Sequence, residues 1–364
     1  MTSEDILKAL SVVIDPDFKK DIVTLHMVRN IQIENNHINF DLVLTTPACP
    51  LKEQFRKQCT EAILTSFPDA RVLINMTSET TSIRSNEINI LPNVKNIICI
   101  SSGKGGVGKS TVAVNLAYTL QRMGAKVGLL DADIHGPSIP HMLGIKNVKP
   151  EIRDIKGKHY MVPIEKDGLK VLSIGLIVDE YQALVWRGPM VTSALKQFIT
   201  DTLWGKLDYL ILDMPPGTGD VHITMTQTVP LTGVVIVSTP QQIAVADARK
   251  AIAMYRLQNV NVPILGLIEN MAYFTPAELP DNKYYVFGKG GARQLAEEYE
   301  ISFLGEIPLI QSIMEGAEKG LPASEEFEVV DTIYKEIAGN IARNISIKNE
   351  EKLKEQSTIP ANAE

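Results

Sequence analysis

Between Gly103 and Ser110 the chain reads Gly-Lys-Gly-Gly-Val-Gly-Lys-Ser, which meets the spacing G-x-x-x-x-G-K-[ST] of a phosphate-binding loop. Its flanks narrow the fold further. Upstream, Asn96-Ile97-Ile98-Cys99-Ile100 is a short apolar run of the kind found in buried strands. Downstream, Val112, Leu116, Leu120 and Met123 recur at helical spacing before Gly124. In a strand–loop–helix unit of this sort, glycines let backbone N–H groups converge on phosphate, and the helix N-terminus adds positive potential. The spacing places Lys109 at the β/γ phosphates and the Ser110 hydroxyl on Mg²⁺. The nucleotide-binding stretch is thus expected to be Gly103, Lys104, Gly105, Gly106, Val107, Gly108, Lys109, Ser110 and Thr111. A glycine turn that binds nothing is the competing reading; the ordered flanks and the acids described next oppose it.

Beyond this loop, strands and helices alternate to about residue 346. Val127–Leu130, Leu169–Ile174, Tyr209–Leu212, Val234–Val237 and Ile264–Ile268 are near-continuous apolar runs, as expected of strands buried on both faces. The fold class predicted is α/β: a mostly parallel sheet with helices on both faces, preceded by a small α/β domain. Ligands in such sheets bind beyond the carboxyl ends of the strands, where the glycine loop and two acidic turns fall. In Asp131-Ala132-Asp133, at a strand end, two carboxylates two apart on a strand point to the same face; one would steady the Mg²⁺ shell and the other orient the attacking water. The alternative is that they cap the loop. In Leu212-Asp213-Met214-Pro215-Pro216-Gly217, Asp213 would hold Mg²⁺ or its waters, and the Gly217 N–H would sense the γ-phosphate. Ser110, Asp131 and Asp213 are therefore the expected metal residues.

The expected domain boundaries are 1–80 for the small domain, 81–95 for a polar linker, 96–346 for the large domain and 347–364 for a polar, disordered tail. In the first of these, Ile6, Leu7, Leu10, Val13 and Ile14 mark a helix, and Asn35-Asn36 turns a hairpin. A second helix runs from Leu51 to Ser66, and a strand covers 71–76. The net charge of −7 argues against a general nucleic-acid surface. No apolar run approaches a membrane span, and the acidic start has no signal-peptide core, so a cytoplasmic protein without membrane or nucleic-acid partners is expected. Cys49, Cys59 and Cys99 are too few and scattered for a disulfide framework. Of the three, Cys49 is the candidate for thiol or cluster chemistry. It lies between Pro47 and Pro50 at the start of a helix, whose N-terminus would favour the thiolate. A free cysteine packed under the loop is the other reading.

The second lysine of the glycine loop, Lys104, is not required by a plain phosphate-binding loop. Gly103–Thr111 resembles the deviant P-loop of the MinD/ParA/Mrp ATPases. Asp131–Ser138, Asp213–Asp220, Ser238-Thr239-Pro240-Gln241, Phe287–Ala292 and Gly305–Leu309 together resemble the Mrp/ApbC iron–sulfur cluster carriers. The first eighty residues, with Asp15-Pro16 and Thr46-Pro47-Ala48-Cys49-Pro50, resemble the SufT-type domain of iron–sulfur assembly proteins. The resemblance implies ATP and Mg²⁺ as ligands, a homodimer in which Lys104 reaches the partner's nucleotide, Asp133 as the water-activating residue beside Lys104 and Lys109, and Asn270 as the reader of adenine. On chemistry alone, Asn270 could equally cap a turn. It also implies iron–sulfur client apoproteins and slow, switch-like ATP hydrolysis. The family's C-x-x-C pair, which would let a dimer hold a [4Fe-4S] cluster, is missing: residues 272–284 contain no cysteine, and none follows Cys99. A nucleotide-gated interaction protein of ParA or MinD type, binding no cluster, is the rival expectation; a kinase or ligase on the same fold is a third.

Overall fold

The computed structural model describes residues 1–82, 90–177, 188–276, 278–279, 281–321 and 328–358. The chain divides into two compact units, Met1–Ile83 with Ala342–Glu364, and Arg84–Ile341.

In the smaller unit, α1 (Ser3–Leu10) opens on a capping box in which Thr2 and Asp5 satisfy each other's backbone N–H. Two short strands, β1 (Ile14–Asp15) and β2 (Lys20–Asp21), precede the hairpin of β3 (Val28–Glu34) and β4 (His37–Leu44). Asn35, at φ 53°, takes the left-handed conformation the turn needs. The helix α2 (Lys52–Ser66) then carries the chain across to β5 (Arg71–Ser78), which pairs parallel to β4. Alternation in β4 sends Ile38, Phe40, Leu42 and Leu44 inward onto Ile6 and Leu10 of α1 and Phe55, Cys59 and Ile63 of α2.

In the larger unit the elements run β6 (Val94–Ser101), α3 (Lys109–Arg122), β7 (Val127–Asp131), α4 (Ile139–Met142), β8 (Ile152–Ile155), β9 (Lys158–Met161), β10 (Ile164–Lys166) and β11 (Leu169–Ser173). They continue with α5 (Gly188–Thr200), β12 (Leu207–Asp213), α6 (Asp220–Thr228), β13 (Gly233–Ser238), α7 (Gln242–Tyr255), β14 (Ile264–Phe274), α8 (Gly291–Glu298), β15 (Phe303–Leu309) and α9 (Gln311–Lys319). Eight strands form one sheet in the order β10-β11-β7-β12-β6-β13-β14-β15, parallel throughout except at the β10 edge. The expected α/β class holds. Strand β6 lies centrally, with β12 on one side and β13 on the other, so the loop after it opens where the strand order reverses.

Two expectations need correcting. Strand β14 does not end at Asn270, as a turn-capping asparagine would require, but runs on to Phe274, so Asn270 lies within it. Of the tail expected to be disordered from residue 347, the described part, residues 347–358, is helical: one helix spans Glu328–Thr358. Polar composition misled the reading because the apolar contacts that fix this segment are long-range. Ile345 is buried, Ser346 lines a small cavity with Leu44 and Phe55, and Asn349 Nδ2 donates to the Thr81 carbonyl at 3.0 Å. The expected linker falls partly on residues 83–89, outside the described residues.

Candidate active site

The loop from Ser102 to Gly108 is shaped by close approaches that demand glycine. Gly106 and Gly108 have φ of 79° and 80°. A Cβ on Gly103 would lie 2.2 Å from the Asp247 backbone, and one on Gly108 would meet Asn270 Nδ2 at 2.3 Å. Lys109, the first residue of α3, turns under the loop and is almost fully buried. Its Nζ donates to Asp213 Oδ1 at 2.6 Å and lies 3.4 Å from Ser110 Oγ. The second Asp213 oxygen, Oδ2, is buried with no hydrogen-bond partner. Burial pushes the Asp213 carboxyl up against the opposing pull of the Lys109 ammonium.

Register explains why a second acid sits beside it. Ser173, Asp131 and Asp213 are paired across β11, β7 and β12, so they form a polar row at the strand ends. Asp131 is completely buried, and its oxygens are taken: Oδ1 accepts the Asp133 N–H at 3.1 Å, and Oδ2 accepts the Ser173 hydroxyl at 2.9 Å and the Ile139 N–H at 3.3 Å. Burial, reinforced by the neighbouring Asp213, pushes its carboxyl up to about 8. Both Asp131 oxygens thus hold the turn after β7. Strand β7 ends at Asp131, so strand alternation does not govern Asp133. That side chain is half-buried and accepts the Gly136 N–H at 3.3 Å.

Two further expected contacts are already spoken for. The Gly217 N–H donates to the Ser102 carbonyl at 2.9 Å, so it reaches a phosphate only by giving up that bond. Asn270 donates through Nδ2 to the Val107 carbonyl at 2.8 Å, which ties β14 to the glycine loop. Lys104 is half-buried, its carbonyl accepts the Ser102 hydroxyl at 3.0 Å, and its ammonium makes no ion pair among the described residues.

Three positions escaped the sequence reading. Ser173 carries a weak signal, a hydroxyl at the end of a buried strand. Glu269 is buried and accepts the N–H groups of Gly290 and Ala292 at 3.1 and 2.7 Å, anchoring the Phe287–Gly291 turn beside Asn270. The third, His222, is taken up below.

The surroundings of Cys49 favour the second reading, a free cysteine packed under the loop. Burial pushes it up to about 11, and the charges of Asp15 and Asp17 add to that. The helix begins only at Lys52, so its N-terminal field does not prevail. Cys59 and Cys99 are buried, which pushes both to about 12. A thiol at about 11 is ionised to only about one part in a thousand at pH 8. We expect iodoacetamide labelling of Cys49, followed peptide by peptide, to rise about tenfold per pH unit from pH 8 to 10. Labelling at pH 7 as fast as that of free cysteine would restore the activated thiol. Among the described residues no three His, Cys, Asp or Glu side chains gather to hold a metal ion. No helix among them is long and apolar enough to cross a membrane.

A phosphate-binding loop at the strand-order reversal of a parallel sheet, with an acid at the end of the adjacent strand, defines a P-loop NTPase. Comparison with known proteins narrows this. Residues 93–345 match the family described as NUBPL iron-transfer P-loop NTPase, and residues 3–74 match that of iron–sulfur cluster assembly proteins. The chain belongs to the NUBPL iron-transfer P-loop NTPases. It is 43% identical over 349 residues to the iron–sulfur cluster carrier protein of Synechocystis, covering 94% of this chain and 98% of that one. The Escherichia coli iron–sulfur cluster carrier protein is 42% identical over 334 residues, 91% of this chain and 89% of the relative. Among solved structures, the nucleotide-binding protein from Archaeoglobus fulgidus in complex with ADP superposes with a TM-score of 0.58 at 37% identity, covering 67% of this chain and 93% of its own.

Proposed function

We propose that the protein is a Mg²⁺-dependent ATPase that assembles or delivers iron–sulfur clusters to client apoproteins and works as a homodimer in the cytoplasm. The observation that carries the reading is the buried Lys109–Asp213 pair, with the Asp213 Oδ2 oxygen left unpartnered and the Ser110 hydroxyl 3.4 Å from the same ammonium. The donors suit a hard cation, which takes oxygen ligands: Ser110 and Asp213 would hold Mg²⁺. When bound, the ion neutralises charge on the β- and γ-phosphate oxygens.

Hydrolysis then proceeds by an exchange of partners. Lys109 leaves Asp213 for the phosphates, which frees the carboxylate for the cation side. The Gly217 N–H leaves the Ser102 carbonyl for the γ-phosphate, and Gly217 can make that move because its φ of 100° suits glycine and nothing lies within 4 Å of where a Cβ would stand. Asp133 gives up the Gly136 N–H to orient the water that attacks in line with the departing ADP. Asn270, with Nδ2 fixed on the glycine loop, keeps its carbonyl oxygen for the adenine amino group. Loss of the γ-phosphate returns Gly217 to Ser102, which suits slow, switch-like turnover. The relatives named as iron–sulfur cluster carriers and the ADP-bound neighbour support this reading.

The test is anaerobic reconstitution with iron and sulfide, then transfer to an apo-ferredoxin with and without ATP. Hydrolysis together with transfer supports the proposal; absence of hydrolysis with saturating Mg²⁺ removes it. The missing C-x-x-C pair favours a second reading, a nucleotide-gated interaction protein, and hydrolysis without any cluster uptake would select it.

A further inference from the structure

Besides the His222 backbone N–H, which donates to the Gly219 carbonyl at 3.0 Å where the loop enters α6, three hydrogen bonds hold the loop after β12. The Met214 N–H donates to the Ile100 carbonyl at 3.1 Å, and the Gly217 N–H to the Ser102 carbonyl at 2.9 Å. The third comes from α6, where His222 Nε2 meets the Pro215 carbonyl at 3.0 Å. Pro215 and Pro216 carry no N–H, so this stretch of the loop can be held only through its carbonyls. A carbonyl only accepts, so Nε2 carries the proton and Nδ1 is a bare acceptor. The ring is 2% exposed, and burial pulls its pKa below the ordinary value, against the Pro215 and Gly219 backbone contacts, which favour the charged form. Nδ1 is buried with no partner. An apolar side chain would fill the same space without an orphaned acceptor, so what the imidazole adds here is the Nε2–H bond to Pro215.

The loop therefore has a stiff half and a looser half. Residues 213–216 are pinned by β6, by α6 and by two proline rings. Gly217 and Gly219 have open space around them. We propose that His222 is a positioning residue for hydrolysis: through Pro215 it holds the stiff half on α6, so that the Gly217 N–H swings from the Ser102 carbonyl to one defined place at the γ-phosphate. The inference rests on the ATPase reading above. It separates binding from turnover, because the nucleotide would be gripped by Gly103–Thr111, to which His222 makes no hydrogen bond among the described residues.

The experiment compares His222→Phe, which keeps the volume and removes the donor, with His222→Gln, whose side-chain amide restores one. Three quantities are measured on the full-length protein: steady-state ATP hydrolysis, affinity for a fluorescent ATP analogue, and hydrogen exchange of the 214–220 peptide without nucleotide. For His222→Phe we expect kcat to fall about 10- to 100-fold, since small misplacements of a positioned group cost on that order. Analogue affinity should hold within about threefold, exchange should quicken, and His222→Gln should recover most of both. Wild-type turnover in His222→Phe overturns the proposal, as does an equal loss in both variants or a fall in affinity that matches the fall in kcat. If the wild type hydrolyses nothing, the ATPase reading fails and the role in hydrolysis fails with it. Exchange then shows on its own whether the Pro215 clamp exists, and unchanged exchange in His222→Phe removes that too. Should the Phe variant not fold, His222→Asn, whose amide is too short to reach Pro215, replaces it in the comparison with His222→Gln.

Discussion

Lys109→Ala abolishes turnover and, in the nucleotide-free protein, costs about 3–5 kcal/mol of stability, the usual result of removing one member of a buried ion pair. Both effects come from one ammonium with two successive partners. In the free protein it neutralises Asp213 at 2.6 Å, with both side chains almost wholly shielded from water. Without it, a buried carboxylate with one oxygen already unpaired stands next to a second buried acid, Asp131. With ATP bound, the same ammonium faces the β/γ phosphates, and losing a positioned donor to a developing charge costs about 10²–10³ in rate or more. Urea unfolding in EDTA reads the first effect and steady-state hydrolysis the second. Asp213→Asn should relieve part of the stability loss, because it replaces the stranded carboxylate with a neutral amide. The double variant should therefore be more stable than the sum of the two single losses by about 0.5–3 kcal/mol, the range for residues in direct contact. Strict additivity would mean that the pair does not form in solution, and wild-type turnover in Lys109→Ala would remove the site assignment.

What the sequence made legible was whatever is local. The glycine spacing, the isoleucine run before it and the apolar strands at 127, 209, 234 and 264 each carry their signal within a few residues, and together they imply a parallel α/β sheet. The acids illustrate where that stops. Asp131 and Asp213 look alike in sequence, each at the end of an apolar strand. They differ in the structure because Asp131 has Ser173 from β11 and the Ile139 N–H within reach, whereas Asp213 has the lysine of the glycine loop. Strand order and register decide this, and neither is written locally. Cys49 is a similar case. Its flanking prolines and the following helix are local signals, but Asp15 and Arg343, remote in sequence, join Leu44 and Phe55 around the small cavity that it lines. The later turns of the Glu328–Thr358 helix left no sequence signal because the apolar period of Tyr334, Ile337, Ile341 and Ile345 ends there, and the residues buried after it, Ser346 and Asn349, are polar. His222 left no signal at all, since its use depends on a proline carbonyl seven residues earlier folding back onto its ring.

Lys104→Gln is expected to leave nucleotide affinity within about threefold and to cut turnover by about 10³-fold or more, the scale on which a cation supplied across an interface acts in phosphoryl transfer. Three observations separate this lysine from Lys109. Its backbone is fixed, since its carbonyl accepts the Ser102 hydroxyl. Gly103 before it is packed against the Asp247 backbone, while Gly105 and Gly106 after it are exposed. Its ammonium makes no ion pair among the described residues, in a chain of net charge −7 where acids are plentiful. The phosphates of its own loop already have Lys109, so the unpaired charge is available to the phosphates of a second copy. That reading can be tested without a structure of the dimer, by mixing Lys104→Gln with Lys109→Ala. Each variant alone has no competent site. In a hybrid dimer the Lys104→Gln subunit keeps its own Lys109 and receives Lys104 from its partner, so one site of the two is whole. If subunits mix freely, half of the dimers are hybrids, and activity should return to roughly a quarter of the wild-type rate per site. A lysine acting within its own subunit predicts no recovery at any ratio, because neither subunit then holds both lysines.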